Sequence, residues 1–128
     1  IFTERHPLAT AYSMFKQLFA QAYYSSNRLV DLNIYLQAHR SMMDAWRDQF
    51  AGQFIELEYE TLVAAPEATI AEMLEKLDIQ AHPNVFEHHI HFKQSMTASS
   101  QQVQQSIHSS GNLAWQQFAD RLTAKIKL

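Results

Sequence analysis

The chain has 128 residues, of which 47% are hydrophobic and 12% aromatic, with a formal net charge of −3. That supplies apolar material for one core and too little length for two ordinary domains, and the acidic balance excludes a broad nucleic-acid-binding surface. The absence of cysteine excludes disulfides and thiolate metal sites, and no apolar run approaches the roughly 20 residues needed to cross a bilayer.

Residues 1–4 are apolar-led and closely followed by Pro7, which predicts the end of a strand. The opening Ile1-Phe2-Thr3, without an initiator methionine, is expected of a piece cut from a longer protein. Pro7 suits the first position of a helix, and Leu8, Ala11, Tyr12, Phe15, Leu18, Phe19 and Ala22 recur at helical spacing, predicting a helix over 8–23. "YYSSNR" reads as a turn, with Ser26 or Asn27 as cap of the next helix. That helix is expected over 29–50, its stripe formed by Val30, Ile34, Ala38, Met42, Trp46 and Phe50, with Gly52 closing it. "QFIELEYE" alternates Ile55, Leu57 and Tyr59 against Glu56 and Glu58, predicting a strand. Pro66 opens a third helix through Ile70, Met73, Leu74 and Leu77, and 78–83 break it. A short helix is expected over 84–92, then a polar surface loop or short helix, then a final amphipathic helix through Leu113, Trp115, Phe118, Leu122 and Ile126, capped by Asn112. The order strand, two long helices, strand, further helices is a helix-rich α/β pattern. It predicts a two-strand parallel-sheet remnant packed by about five helices, the second half of a larger α/β domain.

In an open parallel sheet, ligands gather beyond the carboxyl ends of the strands. Arg5 lies where the chain leaves its first strand, and Ser13 lies about two turns into the following helix, on approximately the same side. A guanidinium and a hydroxyl converging there make a compact anion site. On spacing alone, a solvated Arg5 and a tolerated helix serine are the commoner arrangement.

The segment "ERHPLATAYSMF" resembles the R-x-P-x-x-x-x-x-S signature of sulfotransferases that use 3′-phosphoadenosine 5′-phosphosulfate (PAPS). "YETLVAAP" is similar to that family's YE-x-L-V-x-x-P segment, "MTASSQQVQQSI" to its T-x-S-x-x-Q-V loop, and "WQQF" to its closing tryptophan-centred segment. The flavour resembles the bacterial type fused to tetratricopeptide repeats, with tyrosylprotein sulfotransferases as relatives. The resemblance implies a P-loop-like domain of which residues 1–128 form the C-terminal portion. It implies that Arg5 and Ser13 hold the 3′-phosphate, that Tyr59 lies beside the adenine, and that Ser99 lies near the sulfuryl group. Gln104 and Gln105 stand where the family usually has a basic residue, which implies weaker cofactor binding or compensation by Lys93 or His108. "HSSGNLAW" is one residue longer than the family's usual approach to the tryptophan. The phosphosulfate loop and the catalytic base are expected upstream, since only Gly52 and Gly111 exist and neither sits in such a turn. This chain alone is therefore expected to be inactive, within a parent that transfers a sulfuryl group from PAPS to an acceptor hydroxyl or amine. The expected setting is cytoplasmic, with no nucleic-acid or membrane partner.

Two rival readings come from other residues. His82, His88, His89 and His91 cluster, and His88 and His91 share a helix face, so zinc or nickel binding is an alternative, although no H-E-x-x-H spacing accompanies them. A non-catalytic helical interaction module is the other, with Met14, Phe15, Met42, Met43 and Trp46 as its groove. Exposed apolar area on such a piece would favour self-association. Glu58 and Glu60, which would share a strand face, read as a solvated edge rather than a glycosidase pair.

Overall fold

Two short strands anchor the fold: β1 (Phe2–Glu4) and β2 (Glu56–Glu58) pair in parallel, with Phe2 opposite Glu56, Thr3 opposite Leu57 and Glu4 opposite Glu58. The computed structural model describes residues 1–17, 19, 23–86 and 113–127. Parallel neighbours need a long crossover, and here it consists of α1 (Pro7–Lys16), a 3₁₀ turn (Tyr24–Asn27) and α2 (Leu29–Gln49). After β2 come α3 (Tyr59–Ala64), α4 (Pro66–Lys76) and a 3₁₀ turn (Pro83–Phe86). A 3₁₀ turn (Gln116–Phe118) then leads into α5 (Ala119–Thr123). The chain is thus helix-rich with a small parallel sheet, as expected.

The chain divides into two compact units, Ile1–Tyr59 with Ser110–Leu128, and Glu60–Ser109. In the first, Ala11, Leu32, Leu36 and Ile126 form the buried centre, flanked by half-buried Leu8, Met14 and Leu29. Burying a leucine as fully as Leu32 contributes about 1.5–3 kcal/mol. Alanines at buried positions 9 and 11 let α1 lie close to its neighbours. Asn33 and Gln37, one turn apart on α2, take the last strand of chain between them. The Lys127 N–H donates to Asn33 Oδ1 at 2.6 Å, and Gln37 Nε2 donates to the Lys127 carbonyl at 2.7 Å.

Arg47, in the last turn of α2, ties that helix to both strands. Its Nε donates to Glu56 Oε1 on β2, its Nη2 to Glu4 Oε1 on β1 at 2.9 Å, and its Nη1 to Asp44 Oδ1 at 2.9 Å. The guanidinium also lies over the Phe2 ring, 5.8 Å from its centroid. The hydrogen bonds to Glu56 and Glu4 raise its already high pKa further.

In the second unit, Ala65 sits in a non-helical conformation before Pro66, as the residue preceding a proline must, and so separates α3 from α4. The Thr69 hydroxyl donates back to the Ala65 carbonyl at 2.8 Å. On the exposed face of α4, Lys76 Nζ lies 2.7 Å from Glu72 Oε1 and holds that carboxyl below the usual carboxylate range. The helix ends in a Schellman motif, with Asp78 N–H donating to Glu75 O and Ile79 N–H to Leu74 O, both at 3.0 Å. Asp78 takes the left-handed position at φ 55°.

Several element boundaries differ from expectation. The helix predicted over 8–23 stops at Lys16, where Gln17 turns extended, and the Phe19 ring instead meets Tyr23 edge-on at 5.1 Å. Neither Ser26 nor Asn27 caps α2: Arg28 is the cap position with no side-chain bond, and the buried Ser26 hydroxyl donates to the Tyr23 carbonyl at 2.8 Å. The stripe predicted for α2 is exposed, from Val30 at 51% to Phe50 at 38%, while Leu32, Leu36 and Met43 are buried. The reason is geometric. Each step of four residues overshoots a full turn by about 40°, so five such steps wind through about 200°, whereas spacings of three, four and seven hold one face. The second strand is shorter than predicted, because Tyr59 and Glu60 already belong to α3, which also removes Glu60 from a shared strand face with Glu58. The final helix is broken, its tryptophan and phenylalanine drawn into ring stacks on His6, the N-cap of α1, and on Tyr12 within it. Its expected cap, Asn112, lies outside the described residues.

Candidate functional site

The register of the sheet explains how two distant residues meet. Glu4 is opposite Glu58 at the carboxyl ends of β1 and β2, so the next residues, Arg5 and Tyr59, emerge side by side. The Arg5 guanidinium stands over the Tyr59 ring, 4.8 Å from its centroid, within the distance at which a cation is attracted to an aromatic face. Its Nη1 donates to Ser13 Oγ at 3.2 Å, across eight residues of sequence. Arg5, Ser13 and Tyr59 are all half-buried.

Each group has a distinct chemical capacity. Arginine presents five N–H donors in a planar fork, which suits phosphate oxygens better than a point charge does. Ser13 Oγ accepts from Arg5, and a hydroxyl that accepts still carries one hydrogen to donate to an anion. The tyrosine offers a flat apolar face on which a base can stack. Glu4, next to Arg5 in sequence, is directed to Arg47 instead, and α1 has no acidic residue in its first turn. The positive end of that helix therefore adds to the potential at the same corner. The donor set fits a phosphorylated nucleotide.

A sequence model of the sulfotransferase family matches residues 1–83. The chain belongs to that family. The match takes in Arg5, Ser13 and Tyr59 and ends before the "MTASSQQVQQSI" and "WQQF" segments. A relative from Aquifex aeolicus (strain VF5), described as an uncharacterized protein, is 31% identical over 131 residues, covering 100% of this chain. This sulfotransferase-family chain spans 17% of the length of that relative.

The three sequence-predicted residues Arg5, Ser13 and Tyr59 are thus brought together. Ser99, Gln104 and Gln105 lie outside the described residues, as do Lys93, His88, His89, His91 and His108. Of the predicted histidine cluster, only His82 is described, and its Nδ1 accepts the Asn84 N–H at 3.1 Å, closing a local turn. Among the described residues no group of His, Asp and Glu is arranged to hold a metal ion.

One contact beside the site was missed by sequence reasoning. His6 follows Arg5 and stacks on Trp115, ring centroids 4.5 Å apart and planes inclined by 18°. The "WQQF" segment marked Trp115 as notable, but no periodicity links residue 6 with residue 115.

Proposed function

We propose that Arg5, Ser13 and Tyr59 form the 3′-phosphate and adenine end of a PAPS site, in a protein that moves a sulfuryl group to an acceptor hydroxyl or amine. The observation that carries this reading is the convergence of the Arg5 guanidinium, the Ser13 hydroxyl and the Tyr59 ring at the carboxyl edge of a parallel sheet. Bound there, PAPS would supply the activated sulfuryl group. Arg5 and Ser13 grip the remote phosphate, so their binding energy holds the donor in line without touching the reacting centre. Tyr59 orients the base. Gln104 and Gln105, in the place of a basic residue, offer neutral amide donors, which are about half as strong as charged ones. Nucleotide affinity is accordingly modest on this reading.

The phosphosulfate loop and the general base would come from chain outside these 128 residues, which then form the C-terminal portion of one sulfotransferase domain and are inactive alone. A relative matched over 17% of its length leaves ample room for such parts and for tetratricopeptide repeats. The proposal extends to a bacterial, cytoplasmic setting and to self-association of the 128-residue chain.

Adenosine 3′,5′-bisphosphate should bind the full-length protein and raise its melting temperature. Arg5→Ala should weaken that binding roughly 10- to 100-fold, the loss that accompanies removal of a hydrogen bond to a charged group. Isothermal titration of both proteins checks this. Unchanged affinity in Arg5→Ala would overturn the assignment.

A further inference from the structure

We propose that Trp115, acting through its stack on His6, is a positioning residue for the Arg5–Ser13 pair; the inference rests on the site reading above. The chain passes from β1 into α1 through two residues, Arg5 and His6. The direction in which Arg5 leaves the sheet therefore depends on the backbone at those positions. His6 is the N-cap of α1, at φ −44° and ψ 124°, yet its side chain makes no capping bond. The ring is turned instead onto Trp115, nearly parallel to the indole.

The other member of the pair is held in the same way. Tyr12, immediately before Ser13, stacks on Phe118 with centroids 5.5 Å apart and planes inclined by 22°. Each anion-gripping residue thus has a sequence neighbour fixed by one ring of the segment 115–118. That segment is itself anchored: Leu122 and Ile126 are buried, and the backbone of Lys127 is held by Asn33 and Gln37. The C-terminal segment is consequently a brace spanning both ends of the Arg5–Ser13 hydrogen bond. It sets their separation without contacting the ligand.

The brace predicts an effect specific to the 3′-phosphate. Dissociation constants of the full-length protein would be measured for adenosine 3′,5′-bisphosphate and for adenosine 5′-monophosphate, which lacks the group that Arg5 and Ser13 grip. Trp115→Ala should weaken the bisphosphate by roughly 3- to 10-fold, the range expected for loss of one aromatic pair. The monophosphate should bind as before, and Trp115→Phe, which keeps a stacking ring, should restore the difference. His6→Ala removes the same stack from the other side while keeping Leu122, Ile126 and the Lys127 clamp, and should reproduce the loss. Proportional weakening of both nucleotides, or an undiminished preference for the 3′-phosphate in both alanine variants, would overturn the proposal. A wild-type protein with no such preference would overturn the site reading itself, and this proposal with it.

Discussion

Two contacts of arginine 5 differ in kind, a hydroxyl at 3.2 Å and an aromatic face at 4.8 Å, and both arise from where its backbone sits. The serine partner was partly legible in the sequence: helical spacing puts residue 13 on roughly the side from which residue 5 departs, but spacing alone favours a solvated arginine, and the resemblance singles out the pair. The tyrosine partner could be named only by resemblance. Its contact depends on strand register, which links positions 54 residues apart (59 minus 5) and has no local signature. Asp78 makes the same point from the opposite direction. Its neighbours end a helix in a way that favours glycine, yet the residue is an aspartate held at φ 55°. Relief of that left-handed backbone should make Asp78→Gly more stable by about 1 kcal/mol, read as a shift in the denaturant midpoint at constant slope.

At the scale of elements, apolar periodicity located α1, α2 and α4, and prolines 7 and 66 stand in the first turns of α1 and α4 as expected. It failed where a tertiary contact decides the boundary. The 3₁₀ turn of residues 116–118 replaces a continuous helix because the rings of Trp115 and Phe118 are committed to His6 and Tyr12. Alternation extended the second strand into Tyr59, since a strand pattern and a helix start are compatible with the same three or four side chains. The strands are too short to hold their pairing by backbone bonds alone, and Arg47 supplies a further tie by reaching Glu4 and Glu56 at once. Arg47→Met would leave Glu4, Glu56 and Asp44 facing one another without their common cation. The variant should melt below wild type at about 0.01 M salt, and the gap should narrow towards about 1 M as the screening length falls from roughly 30 to 3 Å. Calorimetry across that salt series checks it. A gap independent of salt would assign Arg47 a packing role instead.

For the whole molecule, the consequential surface is the exposed apolar set of α2, Val30, Ile34, Met42 and Trp46 with Phe50 at its C-cap, each at least 38% exposed and winding round the helix. Single exposed apolar residues are ordinary, but five large ones on and just beyond a 21-residue helix are not. The 128-residue chain on its own should therefore pair with a second copy through part of this surface, centred on the neighbouring Met42 and Trp46. Sedimentation velocity should show a sedimentation coefficient that rises with concentration, and Trp46→Glu should weaken the association roughly 10- to 100-fold, as expected for losing one large buried side chain. Composition announced the amount of apolar surface. Which of it would be covered was not legible, because α2 has more than one apolar row and the choice among them is made by α1 and the C-terminal segment.

The clamp at the end of the chain has a different kind of consequence. Asn33 and Gln37 read only the amide and carbonyl of residue 127, the two atoms every amino acid other than proline shares. Their grip is indifferent to the side chain of what it holds, so the clamp places its chemical demand on the two amides and none on the side chain at 127.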